Sequence, residues 1–456
     1  MVNLDEIRSI TKRLLREGSP SLQQYEDALP LCKELYEAFP ETHELWDVHQ
    51  YANCLKKLNK LDEAELICEN VYSEFKDKDL SQESNRPFSY IKNLLAWIIN
   101  DKYVKTIRQP NYQYTGIVLD KLILLNELLN QNESNAPSFS YCVLNVLNQL
   151  SKISESVDYD KSLFLLNKIN PSLLSYEPRH YTDLAGKERE LSSQKEDFYK
   201  LKSDFLIKNK QYEECIICCN EAIETLESFH YSNEVWFSRK IAIALGALGN
   251  IEDAIKKLEK LIVVSDKWFL LYEIGKFYSQ LNQPKTALAY MLRAACTKDP
   301  EKMKVSLIES IGDLLNELGD KSFAQDNFLF ARQIRLNNDW TVQDRLNRKI
   351  TDERDVAFKE IRKNWIHKLY QLVGSKQGKV NKLFPNKIGG FIQADKSYYF
   401  QFKNFFGKSD LLKVGDTVAF IVVASFDRKR QIETEEAMVI THRLSHKNNF
   451  LLYNFR

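Results

Sequence analysis

Glycine is scarce here, 14 among 456 residues, and the shortage removes whole classes of chemistry. Neither a Walker loop nor a dinucleotide glycine fingerprint occurs, so no glycine-rich loop is present to cradle a nucleotide. HExxH and Gly-x-Ser-x-Gly are missing as well. The seven histidines (His43, His49, His180, His230, His367, His442 and His446) are dispersed along the chain. Cysteine is limited to eight positions, 32, 54, 68, 142, 215, 218, 219 and 296, scattered through helical patterns in a way that suits a reducing compartment. The run "CIICC" at 215–219 has a metal-like look, but no second Cys or His pair answers it. Small core positions of a helix are the expectation there. No run of about 18 apolar residues exists, and "MVNLDEIRSITKRLLREG" lacks the apolar stretch of a secretion signal. The expectation is a cytoplasmic chain with no membrane contact, no metal, no cofactor and no enzymatic activity.

What is present is a balanced, charged chain, 44% hydrophobic and 28% charged, long enough for two or three domains. The net charge of +1 hides a division. Residues 335–456 carry 23 Lys/Arg against 13 Asp/Glu, a net of +10, which leaves 41 against 50, a net of −9, for 1–334. An acidic body with a basic final section points to an anionic partner, such as nucleic acid, at that end.

Repeats decide the architecture of the body. Small residues recur in pairs twelve positions apart: Ala52/Ala64, Ser203/Cys215, Ala242/Ala254, Gly275/Ala287 and Gly312/Ala324. Between the members lie turns, among them "KLNKLDEA", "ALGNIEDA" and "QLNQPKTA". Small residues at both points let the two helices of a hairpin approach closely. "LWDVHQYANCLKKLNKLDEAELICENVY" at 45–72 and "LYEIGKFYSQLNQPKTALAYMLRAA" at 271–295 are the clearest copies. The pattern resembles the tetratricopeptide repeat over about 20–75 and 195–335. That resemblance implies a helical solenoid presenting a surface to a protein partner. A carboxylate clamp is disfavoured, because Asn53 fits one clamp position while Asp204, Ile243, Lys276 and Asp313 form no basic set. Residues 85–190 lack the small pairs and read as degenerate helical hairpins.

At 358–372 an apolar stripe of Phe358, Ile361, Trp365, Leu369 and Leu372 predicts one amphipathic helix, with Gly374 as its stop. It caps the solenoid, or its lysines and arginines also meet phosphates. Beyond it the period changes to two. "GKVNKLF", "GGFIQAD", "SYYFQFKNF", "DTVAFIVVASF" and "ETEEAMVITHR" read as five short strands, enough for a small closed barrel. This reading divides the chain into 1–84, 85–194, 195–335, 336–375 and 376–456, with the last piece self-sufficient. The fold class is mainly α, a tetratricopeptide-like solenoid followed by a five-stranded barrel.

"GKV" at 378–380, "KIGGFI" at 387–392, "YYFQF" at 398–402 and "LKVGDTVAF" at 412–420 stand in an order and spacing that resemble a cold-shock domain, an oligonucleotide-binding barrel. The resemblance implies single-stranded RNA or DNA stacked on outward aromatics. Phe391 and Tyr399 would keep stacking positions, with Phe402 an aromatic flanking them. Three positions depart from the family: Lys382 stands for its Trp, Gly389 for its first Phe and Gln401 for its His, with Phe384 placed to compensate. Lys379, Lys382, Lys387, Lys403, Arg428, Lys429 and Arg430 would supply phosphate contacts. The expected whole is a non-enzymatic adaptor joining a protein to a single strand. Such a fusion resembles bacterial proteins of RNA metabolism or of defence against foreign nucleic acid. The alternative is a scaffold whose barrel docks protein.

Overall fold

A computed structural model describes residues 3–15, 20–131, 136–153, 157–230, 233–386, 388–407, 411–427 and 430–442. The chain forms two compact units, 1–231 and 232–456.

The first unit is built from α1 (Leu4–Leu14), α2 (Leu22–Glu37), α3 (Phe39–Thr42), α4 (Leu45–Lys57), α5 (Leu61–Phe75) and α6 (Gln82–Ile99). It continues through α7 (Val118–Leu128), α8 (Phe139–Ile153) and α9 (Tyr159–Asn167). Then come a hairpin of β1 (Arg179–Thr182) and β2 (Glu188–Leu191), and α10 (Gln194–Lys208) with α11 (Tyr212–Thr225). The region read as degenerate hairpins is therefore helical over α6 to α9, and it also contains a β-hairpin that period counting missed. The β1–β2 turn carries Gly186 at φ 75°, the signal that was available.

The second unit pairs α12 (Glu234–Ala247) with α13 (Ile251–Val264), α14 (Trp268–Gln280) with α15 (Pro284–Ala295), and α16 (Val305–Glu317) with α17 (Lys321–Leu336). A short α18 (Asp344–Asn347) and α19 (Phe358–Val373) lead to the strands.

The twelve-residue pairs sit where two helices of a hairpin touch. Ala52, Ala64, Ser203, Cys215, Ala242, Ala254, Ala287 and Ala324 have no exposed surface. A Cβ added at Gly275 would meet Met291 Cγ at 2.6 Å, and one at Gly312 would meet Phe328 Cε1 at 2.5 Å. Seven residues after each first member the chain turns left-handed, at Asn59, Lys210, Gly249, Asn282 and Gly319 (φ 55° to 88°). The next amide closes back on the helix: Lys60 to Leu55 O, Gln211 to Leu206 O, Asn250 to Leu245 O and Gln283 to Tyr278 O at 2.9 Å, Asp320 to Leu315 O at 2.8 Å. These are one C-terminal helix cap repeated five times. The architecture is tetratricopeptide-like. All eight cysteines are buried and none forms a disulfide among the described residues, the three of "CIICC" included.

The five barrel strands are β3 (Lys376–Leu383), β4 (Gly389–Gln393), β5 (Ser397–Gln401), β6 (Thr417–Asp427) and β7 (Ile432–His442). They close in the order β3-β4-β5-β7-β6, antiparallel except where β5 meets β7. Val380, Ile392, Tyr398, Phe400, Val418, Phe420 and Ile440 fill the interior.

One side of the barrel is no free surface. Ile421, Met438 and Val439 belong to the hydrophobic core of the second unit's helices, with Trp365 and Leu369 of α19. Strand alternation forbids adjacent Met438 and Val439 from facing the same way. A bulge between the Ala419 and Ile421 pairings allows it, and Val439 takes φ 50° there. Tyr370 Oη lies against the carbonyl oxygens of Val439 and Ala419, the latter at 3.0 Å. α19 itself buries Ile361, Trp365 and Leu369, and Trp365 Nε1 donates to Asn327 Oδ1 at 2.8 Å.

Because Ala287 sits in a contact with no spare volume, Ala287→Leu is expected to cost about 1–3 kcal/mol. Lys285→Ala, on the exposed side of the same helix, should change stability by less than about 0.5 kcal/mol. Urea denaturation of the two variants measures the difference.

Candidate nucleic-acid interface

The register of β3, β4 and β5 fixes which side chains leave the barrel. Phe391 pairs with Tyr399 across β4 and β5, and Lys382 pairs with Phe391 across β3 and β4. Their strand neighbours Ile392, Tyr398 and Phe400 point inward with no exposed surface. Phe391 and Tyr399 are therefore outward and half-buried, shielded by one another and by Phe384 just past β3. Ring centroids lie 5.7 Å apart for Phe384–Phe391, 5.9 Å for Phe391–Tyr399 and 6.3 Å for Phe384–Tyr399. A bulge at Asn381, between the Val380 and Lys382 pairings, brings Lys379 and Lys382 to the same outer face despite their odd spacing. Both lysines are exposed.

Gly389 is a glycine for a structural reason. A Cβ there would lie 2.1 Å from Phe400 O, and one at Gly390 would lie 2.2 Å from Lys382 O. The three strands come together only if both positions lack a side chain.

The other sequence candidates separate from this cluster. Gln401 ends β5 half-buried, with its side chain hydrogen-bonded to the Glu436 carboxylate. Phe402 stands in a short helical turn, Phe402–Asn404, and packs on the barrel core with its ring 5.7 Å from Phe400. It supports the core rather than forming an outer platform. Lys403 is exposed in that same turn. Arg430, exposed in the β6–β7 turn, lies 3.9 Å from Asp427 Oδ2. Lys387, Arg428 and Lys429 lie outside the described residues.

Sequence reading missed the acidic neighbour of this face. Glu433, Glu435 and Glu436 lie on β7, which runs beside β5, and Tyr399 pairs directly with Glu436. Burial and the Glu436 charge push the Tyr399 hydroxyl above its ordinary value. The Glu436 carboxyl is itself raised by burial and by Asp266. Lys396 is held by Glu435 at 2.7 Å, and Lys376 by Asp395 at 2.7 Å. The "ETEE" run was the visible signal, but only the strand order brings it against β5. Basic residues of the junction are also committed: Lys368 to Asp320 at 2.8 Å, Lys349 to Asp313, and Arg354 to Asp326.

Aromatics also gather on the surfaces of the helical hairpins. In the first unit Trp46, His49 and Tyr90 form a cluster with centroids 5.3 to 5.8 Å apart. Burial lowers the His49 imidazole to about 4. In the second, Trp236 and Phe269 stack at 4.3 Å, with the Arg239 guanidinium over both rings at 5.7 and 5.6 Å.

No protein-family model matches the chain, and no curated protein matches it. Among solved structures it is similar to MamA from Desulfovibrio magneticus, at 14% identity over 44% of this chain and 97% of that one, TM-score 0.31. A tetratricopeptide repeat protein from Parabacteroides merdae aligns at 10% identity over 67% and 96%, TM-score 0.26. A human IFIT1 dimer with m7Gppp-AAAA aligns at 11% identity over 81% and 76%, TM-score 0.33. At these values nothing about partners, ligands or activity carries over.

Gly389→Ala is expected to cost about 1–3 kcal/mol in a thermal or urea melt, since the new methyl displaces the Phe400 carbonyl. The His49 imidazole titrates near 6.5 in an unfolded chain and near 4 here, so the unfolded state takes up the proton first. Its contribution is thus complete above pH 6.5 and is lost as pH falls towards 4. Urea midpoints at pH 7 and pH 5 should show the stability gap between the wild type and His49→Gln narrowing at the lower pH.

Proposed function

We propose that the chain is a non-enzymatic adaptor. The helical hairpins hold a protein, and the barrel face holds single-stranded RNA or DNA. One observation carries the nucleic-acid part: Phe384, Phe391 and Tyr399 form an outward aromatic surface beside Lys379 and Lys382, while the barrel's own core is already filled by other rings. Base–aromatic stacking contributes roughly 1–3 kcal/mol per base and accepts any base, and lysines beside it supply sequence-blind phosphate contacts. Phe384 stands in for the tryptophan that Lys382 replaces, so the platform count falls by less than the motif comparison implies. The protein-binding part rests on the surface aromatics of the hairpins, Trp46 and Tyr90 in one unit and Trp236 in the other, all more than a third exposed. Aromatic side chains of this kind anchor protein interfaces.

A second reading has its own support. Glu436 pairs with Tyr399 at the edge of the aromatic face and repels phosphate, and another side of the barrel already packs on helices. In that reading the face docks protein.

Fluorescence anisotropy with labelled RNA and DNA of about 12 nucleotides at low salt separates the two. Binding is expected, and Phe391→Ala with Tyr399→Ala should weaken it by roughly 2–5 kcal/mol. Lys379→Ala with Lys382→Ala should instead flatten the slope of log affinity against log salt, by about 0.7 per lost contact. If the folded protein binds neither strand, the protein-docking reading replaces this one.

A further inference from the structure

Between α15 and the barrel, within the second unit, lies a cavity of about 350 Å³. Its floor holds two buried donors. Among the described residues, Asn404, 7% exposed, has no hydrogen-bond partner for its Nδ2, and buried Arg293 Nε has none either. Arg293 spends Nη2 on Asp266 Oδ1 at 2.7 Å. Buried polar groups are almost always paired, so two orphaned donors at one cavity mark a missing acceptor.

The rim is cationic. Lys267, Lys298 and Lys403 are exposed around the mouth, and among the described residues none of them forms an ion pair. Among the described residues, Lys298 Nζ reaches the Phe402 carbonyl alone, at 3.4 Å. Arg362 lies over Phe406, another lining residue, at 5.5 Å. Burial first, and Arg362 second, push the Lys298 ammonium below its ordinary value, a cost that an anion would relieve. Counting Arg293, four cations line the cavity against two carboxylates, Asp266 and Asp299, with Arg293 already holding the first and the buried Glu436 carboxyl a third acidic group near Arg293 and Lys403.

We propose that this cavity binds a phosphate group, with Arg293 and Asn404 donating from the floor and Lys298 and Lys403 closing from the rim. A cationic excess with donors converging from several directions suits a multiply charged tetrahedral anion better than a planar, singly charged carboxylate. The phosphate belongs either to a free phosphate compound or to a strand crossing from β5, because Lys403 and Asn404 follow Gln401 almost directly. The site stands independently of base stacking.

Titration calorimetry of the full chain with inorganic pyrophosphate at low salt is expected to show saturable binding. Lys298→Gln with Lys403→Gln should weaken it roughly tenfold or more, with melting temperature confirming that the variant folds. Acetate at equal ionic strength should not compete. No binding of pyrophosphate, unchanged binding by the double variant, or equal competition by acetate overturns the proposal. Competition against a labelled strand of about 12 nucleotides identifies the source. Displacement puts the strand's phosphate in the cavity, and its absence assigns the site to a free phosphate compound. The Phe391→Ala, Tyr399→Ala variant should retain pyrophosphate binding, so a failure of base stacking leaves this result standing. Loss of pyrophosphate binding in that variant places the site elsewhere and overturns the proposal.

Discussion

Closure of a five-stranded barrel makes the fate of Tyr398 and Tyr399 a matter of geometry. Adjacent residues of a strand face opposite sides, so one tyrosine fills the core and the other cannot. The same rule pairs Phe391 with Tyr399 and turns Ile392 and Phe400 inward. Closure depends in turn on Gly389 and Gly390, each lying where a side chain would strike a backbone carbonyl of the neighbouring strand. The aromatic face is therefore a product of how tightly β3, β4 and β5 come together, and a larger residue at either glycine would disturb it.

Charge distributes less simply than its totals. The final section has a net of +10 in sequence, yet several of its cations answer carboxylates of the helices or of the barrel itself. Among the described residues, its cations without an ion pair include Lys379 and Lys382 at the edge of the aromatic face and Lys403 at the rim of the cavity with Arg293 and Asn404. Glu436 of β7 pairs with Tyr399 of the aromatic face and acts electrostatically on Lys403 and Arg293 of that rim.

The helical body was legible because its constraint is local. A small residue, a left-handed turn seven positions on and a second small residue lie within thirteen positions, and Ala242, Gly249 and Ala254 spell this out without tertiary knowledge. The five strands were legible for the same reason, since alternation and turn residues are local signals. The inward and outward assignments at 398–400 followed directly. Features that depend on distant partners were not legible. The bulge that sends both Met438 and Val439 towards helices appears only when β6 and the helices are in place. The acidic border of Tyr399 needs the β5–β7 pairing, and Phe402 reads as an outer ring until its turn is seen to fold it onto the core. The cavity floor joins residues more than a hundred positions apart, Arg293 and Asn404, and no local pattern links them.

The most direct test of the central claim is ultraviolet crosslinking of the full chain to a single strand, with the attached peptides mapped by mass spectrometry. Stacked aromatics are in van der Waals contact with bases, so the account predicts crosslinks concentrated in 384–403, with Phe391 and Tyr399 the principal sites. Crosslinks confined to the helical hairpins, with none in the barrel, would contradict it.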